Sequence, residues 1–176
     1  MTWLIVLATI VVVGLAAYFF SRVAAGRGPR LVECPENDEP AAVSVNAVKA
    51  AVGGRLELSR CSRWPERGQC GRECLTQIER SDDGCLVRTM VTSWYDGKSC
   101  VMCGRAIGDV DWLDRKPALA GPDGGLRQWQ EVAPETLPTV LATHRPVCFD
   151  CYVSETFRQQ HPELVIDNPW PDATRQ

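Results

Sequence analysis

The stretch Cys100-Val-Met-Cys103-Gly104 and the later Cys148-Phe-Asp-Cys151 are two Cys-x-x-Cys pairs in one chain. A Cys-x-x-Cys turn directs two thiolates at one point, with the sulfur atoms about 3.5–4 Å apart. Two such turns supply the four sulfur ligands of a tetrahedral structural zinc site. The spacing therefore predicts a metal site made by Cys100, Cys103, Cys148 and Cys151, with zinc as the expected ion.

The second pair stands where a helix is expected to begin. Pro146 comes just before it, and Phe149, Val153 and Phe157 recur at helical spacing after it. A cysteine knuckle, then strands, then a helix whose first turn supplies the last two ligands resembles a treble-clef zinc finger, over residues 99–160. The resemblance implies a scaffold held by zinc and, by itself, no particular activity.

The five remaining cysteines lie between residues 34 and 85. Alternating apolar residues in 42–48 and 55–61 predict strands, and with a strand ending at Cys34 they form an antiparallel meander. The first and third strands of a meander run the same way, so Cys34 and Cys61 are expected at one end of the sheet. The segment 70–80 predicts a helix that carries Cys70 and Cys74 on one face.

These positions predict a second four-sulfur site at Cys34, Cys61, Cys70 and Cys74, with Cys85 as a small buried apolar residue. The alternative set replaces Cys34 by Cys85, which is more compact in sequence. Four sulfur ligands suit zinc or an iron–sulfur cluster, so we expect two zinc ions, with an iron–sulfur cluster at this first site as the alternative. The spacing of these cysteines matches neither common ferredoxin pattern.

Residues 3–20 are almost wholly apolar and long enough to cross a bilayer as a helix. A cleaved signal peptide is the alternative, but such a peptide carries positive charge before its apolar run. Here Arg22, Arg27 and Arg30 all follow it. The positive-inside rule then predicts a single-span anchor with the N-terminus outside and the C-terminal body in the cytoplasm. Cytosolic thiols stay reduced, which favours metal ligands over disulfides.

Coarser patterns complete the expected α+β organisation. Residues 82–97 predict a helix, with a strand as the alternative, and 106–113 and 126–132 predict strands around a turn at 121–125. We therefore expect an anchor at 1–25, a first cysteine-rich metal unit at 26–85, a connector at 86–98, and a treble-clef-like zinc unit with an extended tail at 99–176.

No sequence motif indicates catalysis. The chain has only two histidines, and the common nucleotide-binding, hydrolase and zinc-protease motifs are absent. The net charge of −3 argues against nucleic-acid binding. We expect a non-enzymatic, membrane-anchored zinc-binding structural, adaptor or regulatory subunit of a membrane complex, with protein partners and no small-molecule substrate. The alternative is an iron–sulfur electron-transfer subunit of a membrane redox complex.

Overall fold

A computed structural model describes residues 2–64, 66 and 70–164 as a mixed helix-and-strand protein. The chain divides into two compact units, Met1–Val91 with Pro134–Thr136, and Thr92–Ala133 with Leu137–Gln176. In chain order, the helices and strands are α1 (Thr2–Gly26), β1 (Arg30–Cys34), β2 (Glu39–Val45), α2 (Ala47–Ala51), β3 (Leu58–Cys61), α3 (Leu75–Arg80), α4 (Val87–Tyr95), β4 (Ala118–Ala120), β5 (Leu126–Arg127), α5 (Leu137–Thr143), β6 (Arg145–Val147) and α6 (Phe149–Gln160). Short 3-10 turns lie at Trp129–Glu131, Pro134–Thr136 and Pro162–Leu164.

Helix α1 is the long apolar helix that the sequence predicts. It has 25 residues, and the apolar window within it is 0% buried in the protein. At 1.5 Å per residue this length exceeds the roughly 30 Å thickness of a bilayer core. The helix is thus long and apolar enough to span a membrane, a property that N-terminal signal sequences share.

The first unit contains the predicted antiparallel meander, in the order β1-β2-β3. Its inner face buries Val32, Ala41, Val43 and Leu58, and Ile78 of α3 packs against them. Alternate residues of a strand point to one face of a sheet, so the apolar residues of β1 and β2 reach one core. This part of the sequence prediction is confirmed, although β3 is shorter than the predicted strand at 55–61.

The predicted strand at 42–48 is wrong at its end, because a short helix begins there. Asn46 caps α2 by accepting a hydrogen bond from the Lys49 backbone N–H at 3.2 Å. Asparagine is a preferred N-cap residue, and the alanines that follow favour helix. The chain therefore leaves the sheet after Val45 rather than after Val48.

The predicted helix at 70–80 is wrong at its start. Helix α3 begins only at Leu75, with Cys74 as its N-cap residue. Arg72 has a φ of 57°, in the left-handed region, so a continuous right-handed helix cannot run from Cys70 through it. Cys70 thus precedes the helix and does not share a helical face with Cys74.

Helix α4 confirms the helix that the sequence predicts within residues 82–97, although it begins only at Val87 and ends at Tyr95. Val91 and Tyr95 are both 1% exposed and lie four residues apart on one face of the helix. The β-branched residues of α4, such as Val87 and Thr89, are less favourable in a helix, but the burial of this apolar face stabilises it.

The second unit is built on a small antiparallel sheet in the order β5-β4-β6. Ala118 and Leu119 of the central strand are fully buried, so the strand is covered on both faces. Strand β6 has no counterpart in the sequence prediction. The turn at 121–125 is confirmed by the Gly124 N–H, which donates to the Gly121 carbonyl at 3.0 Å.

The predicted strand at 106–113 is wrong. Apart from a single bridge between Ser99 and Ala106, this segment consists of bends and loop. The Asp111 carboxylate accepts backbone hydrogen bonds from Leu113 at 2.8 Å and Asp114 at 3.2 Å. Such a local side-chain turn competes with pairing in a sheet. The predicted strand at 126–132 also stops early, at Arg127, where a 3-10 turn follows.

Helix α6 begins at Phe149, as the sequence predicts, directly after Cys148. The extended tail predicted beyond residue 164 lies outside the described residues. Cys100, Ala118, Ala120 and Val147 form the buried centre of this unit, and Cys148 and Cys151 pack against it. The core of the unit and its two cysteine pairs therefore meet at one place.

Candidate metal centre

The two Cys-x-x-Cys pairs meet in the second unit. The Sγ atoms of Cys100, Cys103, Cys148 and Cys151 all lie within 4.8 Å of one another. The Sγ atoms of Cys103 and Cys148 are 3.8 Å apart. Four sulfurs at about 2.3 Å from a central ion would stand about 3.8 Å from one another in a regular tetrahedron. The four side chains therefore fit a tetrahedral metal ion.

The first pair is shaped by the turn at residues 100–104. The Gly104 N–H donates to the Cys100 carbonyl at 2.8 Å, and Gly104 has a φ of 72°. Glycine adopts this conformation without the steric cost of a Cβ. The Cys100 N–H donates in turn to the Arg105 carbonyl at 2.8 Å, which closes the turn.

The second pair is placed by β6 and α6. Cys148 is the N-cap residue of α6, and Cys151 lies in the first turn of the helix. The Val101 N–H, in the first turn, donates to the Pro146 carbonyl of β6 at 3.0 Å. This hydrogen bond links the turn of the first pair to the strand that leads into the second, so backbone contacts help to bring the two cysteine pairs together.

The four thiols differ in exposure. Cys100 is 1% exposed, Cys148 and Cys151 are half-buried, and Cys103 is exposed. Cys100 packs beside the buried strand β4, whereas Cys103 lies on the outer side of the turn. The first pair therefore has one buried and one exposed cysteine.

The thiols also differ in acidity. The backbone N–H and then the guanidinium of Arg105 donate to the Cys103 sulfur and lower its pKa to about 6. Burial, followed by the neighbouring thiols, raises the pKa of Cys151. Burial likewise raises the pKa of Cys148. A thiolate metal ligand must lose its proton, so metal binding here releases protons and weakens as the pH falls.

Three charged residues, Arg105, Arg115 and Asp150, form ion pairs next to the cysteine turns. Arg105 lies 3.7 Å from the carboxylate of Asp150, and Arg115 lies 2.5 Å from its other oxygen. Asp150 stands between Cys148 and Cys151 in the sequence, so this network borders the ligand turn. Sequence reasoning assigned no site role to Arg105, Arg115 or Asp150. The available signals were the position of Arg105 two residues after Cys103 and that of Asp150 inside the second pair.

The first cysteine group is arranged differently. Cys34, Cys61, Cys70 and Cys74 line one cavity of about 120 Å³ together with apolar residues of the sheet. Burial, and then the nearby thiols of Cys61, Cys70 and Cys34, raise the pKa of Cys74. These four cysteines therefore share one neighbourhood.

Among the described residues, the sulfur atoms of this first group do not all come within 4.8 Å of one another. The one group of described residues whose sulfur atoms do is the tetrad of the second unit, Cys100, Cys103, Cys148 and Cys151. The sheet register gives a reason. Cys34 pairs with Glu39 on β2, whereas Cys61 pairs with Val43. Four residues along a strand correspond to about 13 Å. The first and third strands run the same way, as predicted, but they end at different levels of the sheet.

Cys85 does not line this cavity. It has a φ of 58°, and its N–H donates to the side chains of Asp83 at 2.9 Å and Ser81 at 3.2 Å. Its sulfur contacts the Gln77 carbonyl at 3.8 Å. Of the two ligand sets that the sequence allows, the cavity contains every member of the one with Cys34.

His144, one of the two histidines, lies four residues before Cys148 in the sequence. Its Nδ1 atom is paired with the Thr143 hydroxyl at 2.9 Å, and it is not part of the cysteine tetrad.

The tryptophans of the described body act mainly as packing residues. Trp94 donates to the Leu141 carbonyl at 3.0 Å, Trp112 to the Thr92 hydroxyl at 2.9 Å, and Trp129 to the Tyr95 hydroxyl at 3.0 Å. Because buried indole N–H groups need partners, these bonds fit half-buried side chains rather than an exposed aromatic surface.

The second unit thus joins a buried strand, a cysteine turn and a helix start around four convergent thiols. No protein-family model matches the chain, and comparisons with curated proteins and with solved structures found no match.

Proposed function

We propose that this protein is a membrane-anchored, zinc-binding subunit with a structural, adaptor or regulatory role in a membrane protein complex. The observation that carries the proposal is the closed set of four cysteine sulfurs in the second unit. Structural zinc sites fill all four coordination positions with protein ligands, whereas catalytic sites keep one position open for water or substrate. Zinc at this tetrad would hold the unit together and perform no reaction.

The order of elements supports a treble-clef-like arrangement. A cysteine turn at 100–104 comes first, the antiparallel strands β4 and β5 follow, and α6 begins at the second cysteine pair. The resemblance to a treble-clef zinc finger rests on this same order of cysteine turn, strands and helix. Zinc is the ion proposed here because the tetrad has the dimensions of a single-ion site. The iron–sulfur alternative concerns the first cysteine group.

Helix α1 supports the membrane anchor. Its apolar side chains face outward over most of its length, as Leu4, Ile10 and Leu15 illustrate at 72%, 63% and 64% exposure, whereas Val23 near its end is buried. A helix of this composition in water would expose a large apolar surface, which a lipid environment removes. With Arg22 and Arg27 after the span, we place the body in the cytoplasm.

The proposal includes a second zinc ion at Cys34, Cys61, Cys70 and Cys74. Their common cavity supports this set over the one with Cys85. Because their sulfurs stand further apart than in the tetrad, metal binding here requires the chain around the cavity to draw inward. Binding should therefore be weaker than at the tetrad, since part of its free energy is used to order the site.

An exposed face of α6 supports a protein-binding role. Val153 and Phe157 are 45% and 48% exposed and lie four residues apart, on one face of the helix. The helix starts at the metal tetrad, so zinc would fix the direction in which this face is presented.

Metal analysis of the full chain, purified anaerobically in mild detergent, tests the proposal. We expect a colourless protein with about two zinc ions per chain, of which one is removed readily by a chelator. Iron with acid-labile sulfide would replace the proposal by the electron-transfer alternative. Protein without tightly bound metal would overturn it.

Topology is tested separately by Thr2→Cys labelling in intact cells. Modification of Thr2→Cys by a membrane-impermeant maleimide is expected, and the matched variant Ser154→Cys should stay protected at that position. The reverse pattern would place the body outside.

A further inference from the structure

A cavity of about 310 Å³ lies in the first unit, where the apolar helix α1 meets the rest of the fold. This volume is at the lower end of the range for small-molecule sites. The walls come from the last turns of α1, from α2 and from the loop that follows α3. Among the described residues, the charged side chains of this lining are Arg22, Arg30, Asp82 and Asp83, and small or apolar residues make up most of the remainder.

The cavity lies at the height of the lipid headgroups when α1 spans a bilayer. The apolar run of the helix ends at Phe20, and the helix residues that line the cavity are Arg22, Ala25 and Gly26. At 1.5 Å per residue, these three lie roughly 3–9 Å beyond the apolar run. The polar headgroup layer on each side of the hydrocarbon core is roughly 5–8 Å thick. A phospholipid headgroup beside α1 is therefore at the same height as the cavity.

One wall of the cavity contains a buried cation. Arg30 is 6% exposed, and its terminal nitrogens donate to the backbone carbonyls of Gly84 and, at 3.2 Å, of Gly26. Its Nε atom is buried without a hydrogen-bond partner among the described residues. Burial of a charge is costly unless an opposite charge lies beside it. Because the partners of this guanidinium are neutral carbonyls, a bound anion would stabilise it.

Asp83 does not supply that anion directly. Its carboxylate accepts hydrogen bonds from the Ser81 hydroxyl and, at 2.9 Å, from the Cys85 N–H. Within the part of the chain that the structure describes, the recorded ion pairs do not include one between Asp83 and Arg30. The guanidinium and this carboxylate thus have separate partners, although both line the cavity.

The exposed part of the lining adds one charge of each sign. Arg22 and Asp82 are both exposed, and neither takes part in the ion pairs recorded among the described residues. The two arginines offer positive charge to a phosphate, and Asp82 offers an acceptor to an ammonium group. The four formal charges of the lining cancel, which favours a ligand with charges of both signs over a purely anionic one.

We propose that this cavity binds the headgroup of phosphatidylethanolamine, with the phosphate beside Arg22 and Arg30 and the ammonium beside Asp82. The inference rests on the membrane anchor of the proposed function. Guanidinium groups suit phosphate oxygens because their N–H donors are paired and planar. A primary ammonium has three N–H donors for a carboxylate, whereas the quaternary ammonium of a choline headgroup has none. The bound lipid connects the end of α1 with the loop after α3.

Native mass spectrometry of the full-length protein, delipidated in mild detergent, tests the inference. Phosphatidylethanolamine, phosphatidylcholine and phosphatidylglycerol are added separately at equal concentration. We expect one phosphatidylethanolamine adduct per chain, bound about ten-fold more tightly than the other two lipids, since only this headgroup satisfies both the arginines and Asp82. Inorganic phosphate and free phosphoethanolamine serve as soluble competitors, and neither should displace the lipid at the same concentration.

Two variants separate the two halves of the headgroup. Arg22→Gln should weaken phosphatidylethanolamine binding about ten-fold, because a charged hydrogen bond to the phosphate is lost. Asp82→Asn should still bind lipid but lose most of the preference for ethanolamine over choline. Arg27→Gln and Glu79→Gln are the matched controls, since both residues are exposed, belong to the same unit and lie outside the cavity. Both controls should bind as wild type does.

Equal binding of the three lipids by wild type, or a preference for phosphatidylglycerol, would overturn the inference. Equal affinities in Arg22→Gln and Arg27→Gln would also overturn it. Displacement by free phosphoethanolamine would assign the cavity to a soluble phosphate compound instead of a lipid. The membrane anchor is checked separately by alkaline carbonate washing of membranes. Release of the wild-type protein by this wash would contradict the proposed function, whereas an embedded protein without the lipid preference contradicts this inference alone.

Discussion

The two cysteine groups differ in how their thiols are brought together. In the second unit, each pair lies within one turn of chain, and a single backbone hydrogen bond between Val101 and Pro146 joins the pairs. In the first unit, the four thiols come from two strands, a loop and a helix start, and they surround a cavity without closing on it. The ligand positions of the second unit thus follow from two short turns, whereas those of a site distributed over a sheet depend on strand register.

The largest effect is expected from breaking the tetrad. Cys151→Ser removes a ligand from the first turn of α6 and should abolish metal binding at this site. Apparent zinc-binding free energies of structural sites are on the order of 10–16 kcal/mol in small zinc-finger peptides, so the second unit should unfold. Limited proteolysis of the full chain should then cut within residues 100–160.

Cys85→Ser is the matched control for this experiment. Cys85 lies in the first unit, and it belongs neither to the tetrad nor to the preferred ligand set of the first cysteine group. It should keep full zinc content and the wild-type cleavage pattern. A Cys151→Ser protein that resists proteolysis as well as wild type would contradict the claim that metal holds the second unit.

A smaller effect is expected at the first group. Cys61→Ser should lower the zinc content by about one ion per chain and leave the tetrad loaded, because four-sulfur sites require all their ligands. Cobalt substitution provides the readout, since thiolate-to-cobalt charge-transfer absorption scales with the number of occupied sites. Unchanged absorption in Cys61→Ser, or an equal loss in Cys85→Ser, would show that the preferred ligand set is wrong.

Tyr95→Phe measures the stability of the second unit that does not come from metal. Tyr95 is 1% exposed, donates to the Ala118 carbonyl at 2.7 Å and accepts from the Trp129 indole at 3.0 Å. Removal of the hydroxyl leaves the Ala118 carbonyl and the Trp129 indole N–H unpaired, and it should lower the free energy of unfolding by about 1–3 kcal/mol. Thermal unfolding of the zinc-loaded protein tests this, with the exposed Tyr18→Phe as a control that should have no effect.

The same tyrosine predicts a pH dependence. Burial raises the pKa of Tyr95 above that of the unfolded chain. Its contribution to stability is therefore complete below about pH 10, where a free tyrosine ionises, and is lost as the pH rises further. The alkaline loss should be smaller in Tyr95→Phe, and an identical pH profile in the two proteins would contradict this assignment.

The smallest effect is expected from Gly84→Ala in the first unit. Gly84 has a φ of 61°, and an added Cβ would meet the guanidinium of Arg30. The left-handed conformation costs about 1 kcal/mol for a residue with a side chain, and Arg30 is a long side chain that can shift. A drop in thermal stability with unchanged zinc content is expected. Loss of zinc would show that this loop is coupled to the cysteine cavity.

Sequence reasoning worked best where structure is set by a few neighbouring residues. The two cysteine pairs, the start of α6 after Cys148 and the apolar face of α4 each depend on short-range spacing, and all three are present. The meander was also predicted correctly, because alternation along β1 and β2 indicates one buried face.

Predictions failed where a local cap or long-range pairing decides the outcome. Asn46 starts a helix inside the predicted strand at 42–48, and Asp111 forms a turn inside the one at 106–113. Strand β6 has only three residues and is defined by its pairing with β4, which no local pattern indicates. Cys34 and Cys61 likewise end their strands at different heights along the sheet. This offset is set by strand register, which apolar alternation alone does not specify.

Hydrogen exchange on the full-length protein, with and without a zinc chelator, tests the central claim most directly. If the tetrad holds the second unit, peptides covering β4, β6 and α6 will lose protection on chelation and regain it when zinc is added back. Unchanged protection in these peptides after complete removal of zinc would contradict the account.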